Sequence, residues 1–159
     1  MNDKTYRVLE YNKILDLLGS EAASAITKKM IAELKPVLDV FQIRDMLAET
    51  TEAVSVIMRK GAVPLGSFYD IKDHIWLADK GSVLTMKQLL QILYNLQVTR
   101  NAASFLKSDL PELPIIKGLA DVLSIQKRLE DDIDRCIISE DEMADAASPE
   151  LKNIRRTIQ

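Results

Sequence analysis

The stretch DVFQIRDMLAETTEAVSVIMRKG, Asp39 to Gly61, carries every mark of an α-helix and decides how the rest of the chain is read. Asp39 is a good N-cap, and Gln42 three residues later completes a capping-box pattern. Val40, Ile43, Leu47, Thr50, Val54 and Ile57 then follow at alternating spacings of three and four, which lines them along one helical face. Arg59 and Lys60 suit the negative end of the helix dipole, and Gly61 is a natural residue just past the C-terminus. The spacing predicts a helix from Asp39 to Lys60.

The same signals recur on both sides of it. Upstream, Val8, Tyr11, Leu15, Leu18, Ala22, Ile26 and Met30 have helical spacing, with a break expected at Gly19 and an end at Pro36. Downstream, GAVPLGSFYD (Gly61 to Asp70) reads as a loop, and Asp70 is placed to cap a short helix that Gly81 ends. Thr85 and Gln88 form a second capping box ahead of a long helix marked by Met86, Leu89, Leu93, Leu96, Ala103 and Leu106. SDLPELP, Ser108 to Pro114, interrupts the pattern. Two shorter helices are expected around Ile115 to Leu123 and Ile125 to Asp134. The segment from Cys136 to Asp145 lacks helical periodicity and suggests a small β-hairpin. Finally Ser148, Pro149 and Glu150 open a helix carrying Leu151, Ile154 and Ile158. Leu47, Val54, Leu89, Leu93 and Leu96 are the expected core.

Composition agrees with an all-α chain. Among 159 residues only 5% are aromatic, while Leu, Ile, Ala, Lys and Glu dominate, a mixture suited to helix-on-helix packing. The formal charge of −3 argues against bulk attraction to nucleic acid, leaving room only for a local basic patch. Cys136 is the only cysteine, which excludes an internal disulfide and favours a reducing, cytoplasmic setting. No apolar run approaches the roughly 20 residues of a membrane span.

Motifs for chemistry are scarce. Gly61 and Gly66 have the glycine spacing of a phosphate-binding loop, but Ser67 and Phe68 stand where its lysine and hydroxyl belong. Pro64 also removes a backbone donor there, so the stretch is read as an ordinary loop. His74, the single histidine, has no local partner that would make a catalytic pair with Cys136; both are read as packing residues. Glu130, Asp131, Asp132 and Asp134, and then Glu140, Asp141 and Glu142, lack calcium-loop spacing and read as solvated surface. Arg155 and Arg156 are the candidates for phosphate contact in nucleic acid. No catalytic, cofactor-binding or metal-binding residue is assigned.

In order and spacing, several short motifs resemble the N-terminal part of the MutS-two proteins, a bacterial branch of the MutS superfamily. They are TYRVLEYNKIL (Thr5 to Leu15), ELKP (Glu33 to Pro36), PLGSFYDI (Pro64 to Ile71) with Lys80, Gly81, Val83 and Leu84, and ASPELKNIRRTI (Ala147 to Ile158). One departure is Ser139-Glu140-Asp141-Glu142, where that family commonly has an Asp-Gly turn between short strands. The resemblance implies a MutS-core-like helical bundle over residues 1–147 and the start of a truncated lever helix over 148–159. It implies a longer parent that is an ATP- and magnesium-dependent DNA-binding protein with an endonuclease domain, homodimeric, and acting on branched DNA to suppress recombination or on collided ribosomes. This chain would then be a scaffold for the remainder of its own parent. A self-contained helical adaptor, binding another protein through an exposed apolar stripe without catalysis, is the competing reading.

Overall fold

The computed structural model describes residues 3–107 and 112–158. Among them the secondary structure is helical throughout: α1 (Asp3–Val8), α2 (Tyr11–Glu21), α3 (Ala25–Ala32), α4 (Val40–Lys60), α5 (Lys72–Asp79), α6 (Met86–Lys107), α7 (Pro114–Asp121), α8 (Lys127–Cys136) and α9 (Pro149–Ile158). A short 3-10 turn, Asp145–Ala147, precedes α9. The fold is an all-α bundle.

The caps read from the sequence are in place. Asp39 Oδ1 accepts from the Phe41 and Gln42 amides at 2.7 and 3.1 Å, and Gly61 turns the chain out of α4 at φ 80°. Thr85 and Gln88 close a reciprocal box, amide to side chain in both directions. The Lys72 amide donates to Asp70 Oδ1 at the head of α5, and Gly81 at φ 75° follows its end.

Two local expectations need correction. Gly19 does not break the first helical region, because α2 runs through it to Glu21. A glycine near a helix end costs about 1 kcal/mol but leaves every backbone hydrogen bond possible. The breaks fall instead at Glu10, left-handed at φ 51° and ψ 32°, and before α3, where Ser24 Oγ accepts from the Thr27 amide. The hairpin expected over 136–145 is reduced to a single bridge between Ile137 and Met143. Ser139 to Glu142 makes a tight turn in which Glu142 O accepts from the Ile138 and Ser139 amides, so no ladder extends beyond it. Of the break at Ser108–Pro114, Ser108 to Pro111 lie outside the described residues.

The core is small and in two parts. In one, Val56 of α4 and Leu113 are buried with Val63, Phe105, Leu106 and Ile116 around them. In the other, Leu93 of α6 meets Ile133 and Ile137, with Leu89, Leu90, Leu96 and Cys136 packed alongside. Leu93 is thus core as expected, and Leu89 and Leu96 lean on it. Leu47 and Val54 are not core: they are 61% and 52% exposed. Helical periodicity shows that a face is apolar, but only tertiary structure shows whether something covers it.

Long-range polar contacts tie the helices where apolar contacts are few. Glu52 of α4 reaches across to α7, its Oε2 accepting from the Ile115 and Ile116 amides at 2.9 Å each. This caps a helix N-terminus from another helix, since Leu113 at the head of α7 supplies no side-chain acceptor. Lys60 Nζ donates to Phe105 O and lies over the Phe105 ring. Asn95 of α6 clamps the 61–71 loop, donating to Tyr69 O and accepting from the Tyr69 amide.

The accessible surface is 11,951 Å². A compact monomer of 17.9 kDa would expose about 8,000 Å². The chain is open.

Candidate functional site: the root of the last helix

A buried side-chain constellation joins α6 and α8, ahead of the start of α9. Arg100 of α6 donates from Nε to both carboxylate oxygens of Glu130, at 3.2 and 3.0 Å, and from Nη2 to Oε1 at 3.0 Å. Lys127, one turn earlier on α8, donates to the same carboxylate at 3.2 Å and pairs with Asp131 at 2.7 Å. Glu130 is 4% exposed, so it is buried charge and not the solvated surface that its acidic neighbours suggested. Burial alone would raise its pKa. The hydrogen bonds from Arg100, helped by those from Lys127, outweigh this and hold the carboxyl below its ordinary range. Reciprocally, the bond to Glu130 raises the Arg100 pKa, and bonds to Asp131 and then Glu130 raise that of Lys127.

From this anchor the chain passes to α9 through a series of hydrogen-bonded turns. The Ala144 amide returns to Cys136 O, closing the segment around the Ile137–Met143 bridge. Lys87 of α6 pairs with Glu140 at the tip of the turn, a solvent-exposed contact of small energetic weight. Arg135 of α8 donates to Ala146 O inside the 3-10 turn at 3.0 Å. Ser148 Oγ then accepts from the Leu151 amide at 3.1 Å, which is the N-cap expected there. Arg155 donates back to Asp145 at 2.6 Å, bracing α9 against the turn from which it springs.

Beyond its root α9 has little to pack on. Leu151 is half-buried, while Ile154 and Ile158 face solvent. The two candidate phosphate contacts therefore part company: Arg155 is engaged with Asp145, and Arg156 is exposed.

The remaining candidates sit apart from this region or within packing. The Gly61-to-Gly66 stretch is loop followed by loop, without the helix that a phosphate-binding loop requires after its second glycine. His74 is half-buried on α5, with Nε2–H donating to Gln91 Oε1 at 2.7 Å and Nδ1 shielded from solvent. Cys136 is half-buried against the Leu93, Ile133 and Ile137 cluster. Among the described residues no group of three or more His, Cys, Asp or Glu side chains could hold a metal ion. No described helix is long and apolar enough to cross a membrane. The Arg100–Glu130 anchor and the Glu52 cap escaped the sequence reading because their partners lie 30 and more than 60 residues away.

Comparison with known proteins gives the arrangement a setting. No family model matches the chain. Individual relatives do: it is 42% identical to Endonuclease MutS2 of Alkaliphilus oremlandii over 160 aligned positions. It is 41% identical to Endonuclease MutS2 of Clostridium perfringens and 42% identical to that of Ruminiclostridium cellulolyticum. The chain matches the N-terminal region of MutS2. Each alignment takes in 99% of this chain, which spans about a fifth of the length of the MutS2 relatives.

Proposed function

We propose that these residues form the helical scaffold of a MutS2-type protein, with 1–147 as the core unit and 148–159 as the base of an outgoing lever helix. The observation that carries this reading is the asymmetry of α9. Ser148 caps its first turn, Arg155 reaches back from its last turn to Asp145, and the 3-10 turn beneath it is tied to α8 through Arg135. Its later apolar residues, Ile154 and Ile158, stand exposed. A helix tied back to the turn it springs from, with its apolar face open, is suited to act as a lever from its root.

The parent would be an ATP- and magnesium-dependent endonuclease, homodimeric and cytoplasmic, acting on branched DNA or on collided ribosomes through its other domains. The match to proteins named Endonuclease MutS2 supports an enzyme as parent. In this arrangement the Arg100–Glu130 pair holds α8 on α6, and α8 sets the direction of α9. Exposed Arg156 is the residue left to approach a nucleic-acid phosphate.

The experiment is to replace Asp145 and Arg155 together by Ala in the longer MutS2-type protein and measure ATP turnover with and without branched DNA. Loss of the DNA response with intact basal turnover is expected, because the lever would pivot at its root. A preserved DNA response would overturn the scaffold reading, as would ATP turnover or DNA cleavage by the 159-residue chain alone. Tight folding of α9 in an isolated monomer would favour the adaptor instead.

A further inference from the structure

Helix α4 carries two apolar faces. One holds Val56, buried against Leu113 and the residues around it, with Glu52 reaching the α7 amides on the same side. On the other side lie Val40, Ile43, Leu47, Val54 and Ile57, all exposed, with Thr50 among them at the same spacing. At about 100° of turn per residue the two faces point in nearly opposite directions. A helix apolar on both sides is built to sit between neighbours. Among the described residues the Val56 side is covered, while the other side is only edged by residues of the 11–37 segment and stays exposed.

The open face has a definite shape. Its residues alternate at three and four positions from Val40 to Ile57, a line about 25 Å long. Met46 and Ala53 extend it sideways, so the apolar arc spans roughly 140° and exceeds the narrow seam of a two-stranded coiled coil. Alongside its N-terminal half, Tyr11, Leu34, Pro36 and Val37 form with Ile43, Met46 and Leu47 an apolar groove of about 310 Å³. Length and regular spacing call for a helix as occupant; breadth calls for core-type packing.

A parallel two-stranded pairing with a second copy of this chain fits that face poorly. Ile43, Thr50 and Ile57 are β-branched at the position where parallel paired helices favour Leu. The chain also exposes about 4,000 Å² more than a compact monomer of its mass, against about 800 Å² covered per partner in a standard interface. The residues matched make up about a fifth of each MutS2 relative. We propose that the Val40–Ile57 face of α4 is the docking face for an amphipathic helix of about 18 residues or more, supplied by the remaining four fifths of a MutS2-type polypeptide. This rests on the scaffold reading and adds to it a second seam, distinct from α9.

Met46 and Met58 flank the face and report on it, being 43% and 82% exposed. The test is peroxide oxidation of both methionines, followed by peptide mass spectrometry, in the 159-residue chain and in the longer MutS2-type protein. Sedimentation of the 159-residue chain, unaltered and as Leu47→Asp, accompanies it. The expected result is a monomer whose two methionines oxidise at least fivefold more slowly in the longer protein. Equal oxidation rates overturn the proposal. So does a dimer of the short chain that Leu47→Asp dissociates, since the occupant is then a second copy. Hydrogen exchange over Leu151 to Ile158 in the same samples follows α9 separately, so this face can fail while the lever stands.

Discussion

Removing the Glu130 carboxylate tests the root of α9 most sharply. Glu130→Ala deletes three hydrogen bonds from Arg100 and one from Lys127. These bonds form one charge-assisted unit, so they do not add as independent contacts. Both cations reach solvent, Lys127 the more freely, and rehydrate once the carboxylate is gone. A loss of about 2–3 kcal/mol follows from the value of hydrogen bonds to charged groups. For a chain of this size that lowers the melting temperature by roughly 5–10 °C. Arg100→Ala is the more damaging change, because it strands a buried carboxylate with Lys127 as its remaining partner. The double variant costs less than the two single changes together. Urea unfolding followed by helical circular dichroism gives all three values. A Glu130→Ala loss below about 0.5 kcal/mol, the range of ordinary surface changes, would refute the anchor. An Arg100→Ala loss smaller than that of Glu130→Ala would refute the desolvation argument.

Other consequences follow from the same contacts. Because the folded pKa of Glu130 lies below its unfolded value, its stabilisation is complete above the ordinary carboxylate range and drains away as pH falls through the lowered folded value. Unfolding midpoints measured from neutral to acid pH therefore decline less steeply in Glu130→Gln than in the unaltered chain. Glu52→Gln weakens the cap on α7, costing about 0.5–2 kcal/mol, and speeds hydrogen exchange at the Ile115 and Ile116 amides before any other part of α7. Leu93→Ala costs about 2–5 kcal/mol in the isolated chain. Leu47→Ala costs less than about 0.5 kcal/mol there, and chemical denaturation of the two variants side by side reads the contrast.

The helices with strong local signals were legible without coordinates. Asp39, Thr85 and Ser148 cap as their side chains and spacings indicate, because capping is decided within four residues. What escaped was non-local. Glu130 looks like three other acids beside it, and only the fold brings Arg100 of α6 onto it. Glu52 gives no hint that it serves a helix beginning at Pro114. Leu47 and Val54 were misplaced for a different reason. Their spacing identifies an apolar face correctly, yet burial depends on tertiary packing, which spacing does not encode. The left-handed turn at Glu10 has no glycine or asparagine to announce it. Arg155 and Arg156 were indistinguishable as phosphate contacts until Asp145 claimed the first.

Hydrogen exchange of these same residues, alone and within the longer MutS2-type polypeptide, bears most directly on whether they are a scaffold completed by other parts. The account predicts nearly unchanged protection around Leu93, Ile133 and Ile137, with at least tenfold slower exchange in the N-terminal half of α4 and in α9 once the rest is present. Equal protection of α4 and α9 in both contexts would contradict it.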